Sequence, residues 1–267
     1  MSMKLDAQLT LFENGKTFAN PRRIALLKAI AQTGSISQGA KVAGLSYKAA
    51  FDAVKDMNSR PEGPVIHSEK GGKGGGGAEL TRLGQRVIQM YELLDKIQDM
   101  GLKALSDDNA PLDSLLGVMS RFSLQTSARN QLFGHISKVD RFDLHDVVTI
   151  ELDSIHQVIA TITHGSTIRL QLMEGKDAVA LIKGPSIEVC LASEIEAKGK
   201  NFDNQLLGTL ISFSQDKEFT ELELALSSDV TVCALVKNQQ LPSTSLQIDM
   251  PLYALFASSQ VTIATLC

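Results

Sequence analysis

The chain has no tryptophan, only 5% aromatic residues and three cysteines in 267 residues. Cys190, Cys233 and Cys267 are odd in number and far apart, so neither a disulfide framework nor a metal knuckle is expected, and buried reduced thiols are. The five histidines show no i, i+4 pair and no His-Glu-x-x-His pattern, which leaves no metal site to propose. No apolar run approaches the roughly 18 residues of a membrane span. The first residues, MSMKLDAQLTLFENG, lack a basic stretch followed by an apolar one, so the expectation is a cytoplasmic protein without a membrane partner. Catalysis has no footing either, because no Ser/His/Asp, paired-carboxylate or metal constellation stands out.

What is present is an uneven distribution of charge. Residues 1 to 105 carry 15 Lys and Arg against 10 Asp and Glu, while residues 106 to 267 carry 11 against 20. A basic head on an acidic body suggests that the head meets a polyanion. Periodicity divides the chain near the same place. Pro21 to Lys103 is mostly helical, and from Phe122 onward short β-branched segments are broken every eight to twelve residues. The linker is expected near Ser106 to Ser114, with Leu115 to Arg121 as a short helical connector.

Within the head, Pro21 opens a helix that Gly34 ends, residues 35 to 43 form a second, and Ser46 caps a third running to about Met57. Ala50, Ala53, Val54 and Met57 share one face of the third helix. That leaves Tyr47, Lys48, Phe51 and Lys55 outward near the end from which a recognition helix contacts bases. Val65 to Lys70 and Ala78 to Leu80 read as a hairpin whose tip, GGKGGGG, could approach phosphates closely. It lacks the Gly-Lys-Ser/Thr ending of a nucleotide loop. The candidate DNA contacts are Ser46, Tyr47, Lys48, Phe51, Lys55, Lys70 and Lys73. From Thr81, a helix with Leu83, Val87, Met90, Leu94, Ile97 and Gly101 in a heptad-like seam predicts a homodimer on a palindromic double-stranded site.

The body repeats itself. Asn130-Gln131-Leu132-Phe133-Gly134 recurs as Asn204-Gln205-Leu206-Leu207-Gly208, and Ala180-Leu181-Ile182 as Ala254-Leu255-Phe256, both displaced by 74 positions. Each unit has room for about five strands, which suits a small OB-like barrel. The expected fold is thus an N-terminal, mainly α winged helix-turn-helix with a long dimerisation helix over residues 1–121. Two tandem all-β barrels are expected to follow, at 124–191 and 197–267.

The stretches TSARNQLFGHI, GGKGGGGAELTRLGQR, EGKDAVALIKGP and VTIATLC, together with the duplication, make the chain resemble the ModE family of molybdate-dependent regulators almost end to end. The Leu80-Thr81-Arg82-Leu83-Gly84 motif also occurs in LysR-type regulators, whose α/β effector domain the β pattern contradicts. The resemblance implies paired Mop barrels that hold molybdate between subunits of a dimer. By motif the ligands would be Ser127, Arg129, Thr163, Ser166 and Lys183, with tungstate left open as an effector. It also implies repression of molybdate-uptake genes, with activation of molybdenum-cofactor or molybdoenzyme genes left open. The chemistry agrees, because a tetrahedral dianion needs donors and positive charge with no carboxylate nearby. At the repeat offset Arg129 faces Asp203, Lys183 faces Ala257 and Ser127 faces Asn201, so oxyanion chemistry is expected in the first barrel only. The competing readings are a molybdate storage protein, which the basic head disfavours, and an RNA binder, which acidic and aromatic-poor barrels disfavour.

Overall fold

The computed structural model describes residues 5–60, 62–69, 77–108, 110–242 and 245–266, and the chain forms two units, 1–106 and 107–267. The first unit opens with a hairpin, β1 (Leu11–Glu13) and β2 (Lys16–Ala19), turning at Asn14-Gly15 with positive φ at both residues. Three helices follow: α1 (Pro21–Thr33), α2 (Ile36–Val42) and α3 (Tyr47–Asn58). Their limits come from local chemistry. The Asn20 side chain accepts the Arg23 N–H, Ser35 and Ser46 cap α2 and α3 in the same way, and Gly34 ends α1 in the left-handed region. The strands β3 (Ile66–Ser68) and β4 (Ala78–Leu80) pair antiparallel, and α4 (Arg82–Leu105) starts at the cap Thr81. Asn58 ties α3 to β3, its Oδ1 accepting the Val65 and Ile66 N–H groups and its Nδ2 donating to the Ile66 carbonyl. Leu26, Leu27, Ile30, Ala50, Met57 and Ile66 bury completely or nearly so in one core.

The second unit begins with α5 (Leu115–Phe122), which packs on strands of that unit. The boundary expected at residue 121 is therefore corrected. Leu116, Gly117 and Val118 are buried, and Ser114 caps the helix while hydrogen-bonding the Asp177 carboxylate. The first repeat supplies β5 (Asn130–Arg141), β6 (His145–Glu151), β7 (Gln157–Thr163), α6 (His164–Arg169), β8 (Asp177–Ile182) and β9 (Glu188–Leu191). After α7 (Ile195–Lys198), the second supplies β10 (Asn204–Gln215), β11 (Phe219–Ala225), β12 (Thr231–Lys237), β13 (Pro251–Phe256) and β14 (Thr262–Ala264).

The two sheets run β14-β8-β5-β6-β7 and β12-β11-β10-β13-β9. Each repeat therefore gives its last strand to the other's sheet, with Thr262 opposite Leu181 and Glu188 opposite Leu255, positions related by the 74-residue offset. The segments 124–191 and 197–267 are accordingly not two self-contained barrels, and short helices interrupt what was expected to be all-β. Alternation of apolar residues determines which face of an edge strand is buried. It does not determine which of two near-identical sheets that strand joins. A single hydrophobic core runs through both repeats, from Leu132, Ile150 and Ile182 to Leu210, Leu224 and Phe256.

The shared residues of the repeat serve this architecture. The long strands β5 and β10 bulge once each, at Ile136/Lys138 and Leu210/Ser212, which bends them as a curled sheet requires. A Cβ on Gly134 would lie 2.2 Å from the Glu151 carbonyl oxygen, so only glycine fits there. Asn130 is buried, its Nδ2 donating to the Cys233 carbonyl at 2.9 Å and its Oδ1 accepting the Cys233 N–H at 2.6 Å. Asn204 holds Ile159 in the same way, at 2.9 and 2.7 Å. Cys233 lies on β12 and Ile159 on β7, each the outer strand of its sheet. The paired asparagines are thus amide clamps between the repeats.

Candidate functional site

On the head, Ser46, the cap of α3, and Tyr47, Lys48, Phe51 and Lys55 within its first nine residues are all exposed. The Tyr47 and Phe51 rings lie 6.0 Å apart, and with 57% and 46% exposure they leave an aromatic surface flanked by two lysines. The hairpin forms with β4 at the bounds expected and β3 shorter than Val65 to Lys70, whereas Lys70 and Lys73 lie outside the described residues. Along α4, Val87 and Tyr91 are buried, but Met90, Leu93 and Ile97 remain 43%, 59% and 45% exposed. They form an apolar stripe that no described residue covers. Leu93 was not in the expected seam; it lies on the same face as Met90 and Ile97.

The five candidate oxyanion ligands fall into two groups. Thr163 caps α6, accepting the Ser166 N–H, and its Oγ1 lies 2.9 Å from Ser166 Oγ, so these two hydroxyls are held together. Arg129 and Lys183 immediately flank the register pair Asn130 and Ile182 of β5 and β8, which places them at one end of that strand pair. Ser127 is exposed in the preceding turn, where the Thr126 side chain bonds the Ala128 backbone. Among the described residues no hydrogen bond or ion pair links Arg129 or Lys183 to Thr163 or Ser166.

Thr163 and Ser166 open onto a cavity of about 410 Å³ that is also lined by Thr161, Thr262, His145 and Arg169. Among the described residues no carboxylate lines it. Arg169 and His145 were missed in the sequence; Arg169 stands three residues beyond Ser166 on α6, a same-face spacing that could have identified it. His164, left without a role by the sequence, places its Nδ1 3.1 Å from both oxygens of the fully buried Asp146 and so anchors the turn that carries Thr163 and Ser166. At the repeat offset the same joint is neutral, Thr220 donating to Asn238 at 2.8 Å.

Burial pushes the Asp146 carboxyl up. Against this stand the Thr167 hydroxyl, which sits beside it without an aligned hydrogen bond, then His164 and the Phe142 N–H, and the net pKa is below the usual range. A carboxyl lowered from 3.8 contributes stability above that value and loses it as pH falls through the folded value. Thermal melts between pH 6 and 2 are expected to hold to about pH 4 and then decline, and an Asp146→Asn protein to start lower and decline less.

The expectation of a carboxylate-free site does not hold at Arg129. Its Nη2 lies 3.1 Å from Glu223 Oε1 and 3.6 Å from Glu221 Oε1, both on β11. The Cys233 sulfur and then the two glutamates raise the guanidinium further above its already high pKa. Burial, however, pushes the Cys233 thiol itself up, so near neutrality that sulfur is uncharged and the carboxylates are the charged partners.

Residues 126–189 match the TOBE domain family. A transcriptional regulator ModE of Yersinia pestis is 45% identical, over 99% of this chain and 100% of that protein. The DNA-binding transcriptional dual regulator ModE of Escherichia coli is 47% identical over the same shares. Among solved structures, the cytoplasmic molybdate-binding protein ModG, in a molybdate-bound form, covers 54% of this chain with a TM-score of 0.50 and 24% identity, a likeness of fold.

Proposed function

The chain belongs to the ModE family of transcriptional regulators, and on that footing we propose that it senses molybdate in its C-terminal unit and binds operator DNA through its head. It is a regulator, not an enzyme or a storage protein. The observation that carries the molybdate reading is the first repeat's own set of Arg129, Lys183, Thr163 and Ser166, whose counterparts at the 74-residue offset are Asp203, Ala257, Lys237 and Gln240.

The two groups of ligands suggest how the site is completed. Ser127, Arg129 and Lys183 from one protomer meet Thr163, Ser166 and Arg169 from its partner, and the anion bridges them. The bare stripe of Met90, Leu93 and Ile97 on α4 supports a homodimer, since apolar side chains left in water along a helix gain by packing on a copy of themselves. In the head, α2 and α3 act as a helix-turn-helix, with Tyr47, Lys48, Phe51 and Lys55 reaching the major groove and the β3–β4 hairpin serving as a wing. Lys70 and Lys73 remain candidates for phosphate contact.

Linkage then couples the two ends. If molybdate binds only the arrangement of protomers that sets both heads at half-site spacing, each ligand favours the other's state. A coupling of about 1 to 3 kcal/mol raises operator affinity roughly 5- to 150-fold. A gel-shift titration at fixed salt, with and without molybdate, is expected to show that change, most simply as repression of molybdate-uptake genes. Equal operator affinity in both conditions would overturn the sensing mechanism. Tungstate, as a tetrahedral dianion, is expected to act in the same assay.

A further inference from the structure

We propose that Glu223, seconded by Glu221, is an internal competitor for the oxyanion, holding Arg129 in the empty protein and thereby setting the ligand concentration at which the regulator responds. The inference rests on the reading of Arg129 as an oxyanion ligand.

The geometry is built. Ser212 Oγ donates to Glu223 Oε2 at 2.8 Å and fixes the carboxylate, leaving Oε1 to accept from Arg129 Nη2 at 3.1 Å. The strand register delivers the pair. Asn130 clamps Cys233, Cys233 stands opposite Glu223 on β11, and Arg129 is the residue before Asn130. A carboxylate from the second repeat thus reaches the arginine of the first.

The fold does not need this ion pair. At the reciprocal junction the counterpart of Arg129 is Asp203, and those of Glu223 and Glu221 are Thr149 and Val147. That junction is held by neutral groups, the Asn204 amide on Ile159 and Ser258 Oγ at 2.7 Å from Thr161 Oγ1, while the Asp203 carboxylate accepts the Ser258 N–H at 2.7 Å within its own repeat. Equivalent packing without the pair shows that the pair adds little to architecture. Its side chains are also partly open to solvent, with Arg129 56% exposed, where ion pairs stabilise weakly.

A dianion arriving at Arg129 meets two carboxylates of like sign. It must displace them or be repelled by them, and in both cases they lower its affinity. A carboxylate that instead merely aimed the guanidinium would raise affinity, so the two roles give opposite signs.

The test is calorimetry of the full chain with molybdate, together with the molybdate concentration at half-maximal operator shift. Glu223→Gln is expected to bind molybdate roughly two- to fivefold more tightly and to respond at correspondingly lower concentration. Glu221→Gln is expected to change less, and the double variant to move further in the same direction. Misfolding does not produce tighter binding, so the gain itself reports the competitor. Unchanged or weaker binding in folded Glu223→Gln and Glu221→Gln proteins would overturn the inference and leave the molybdate reading standing. Wild-type affinity in an Arg129→Ala protein would overturn both.

Discussion

Arg129→Ala is expected to lose about 100-fold or more in molybdate affinity while the melting temperature stays near that of the wild type. The side chain is exposed and its ion pairs are of the weakly stabilising kind, so folding has little to lose. Binding has much to lose, because hydrogen bonds to a charged partner contribute about 1.5 to 3 kcal/mol each and an arginine fork can offer two to one oxyanion. A total near 3 kcal/mol is about two powers of ten in dissociation constant. Truncation also leaves Glu221 and Glu223 facing the anion without a cation between them. Arg129→Lys should recover part of the affinity, since a lysine supplies charge without the planar fork. Calorimetry reads the first effect. In a gel shift the Arg129→Ala protein should bind operator at its unliganded affinity whether or not molybdate is added.

The helices of the head were legible because their ends carry their own chemistry. Pro21, Gly34 and Ser46 stop and start helices by fixed φ, a left-handed turn and a side-chain cap, none of which depends on distant residues. The β1–β2 hairpin is legible too, through Asn14-Gly15 between short alternating segments. The start of the second unit was misplaced because acids and a proline between Ser106 and Ser114 mark a turn without saying which side owns the helix that follows.

Other features are not local at all. The exchange of β9 and β14 rests on a choice between two equivalent edges, and the sequences of those edges are related by the repeat itself. Glu223 lies 94 residues from Arg129 in the chain, so no spacing rule could pair them. The route to that pair was nonetheless present in the duplication. Once Asn130 and Asn204 are known to clamp the opposite repeat, the residue before each is known to stand near the junction between the repeats. For the first clamp that neighbour is a cation; for the second it is Asp203.

Asn130→Ala is expected to do the reverse of Arg129→Ala. Its amide is the partner of the buried Cys233 N–H and C=O, on the outer strand β12, and also donates to the Ile182 carbonyl at 3.1 Å. Alanine leaves those groups without protein partners, and each buried unsatisfied polar group costs about 1 to 3 kcal/mol. A loss of roughly 3 to 5 kcal/mol follows, which for a unit of this size lowers the melting temperature by about 10 °C or more. Asn204→Ala should cost somewhat less, since among the described residues that side chain bonds only Ile159. The two clamps lie at separate junctions, so the double variant should approach the sum of the singles. At a temperature where Asn130→Ala is still folded, its molybdate affinity should fall far less than that of Arg129→Ala. Residues that recur at the 74-residue offset would then be those whose loss is read in a melt, and the residue beside them that does not recur the one whose loss is read in a titration. A mild melting phenotype for Asn130→Ala, with its Cys233 contacts gone, would mean that the core of the two repeats holds them together without the clamps.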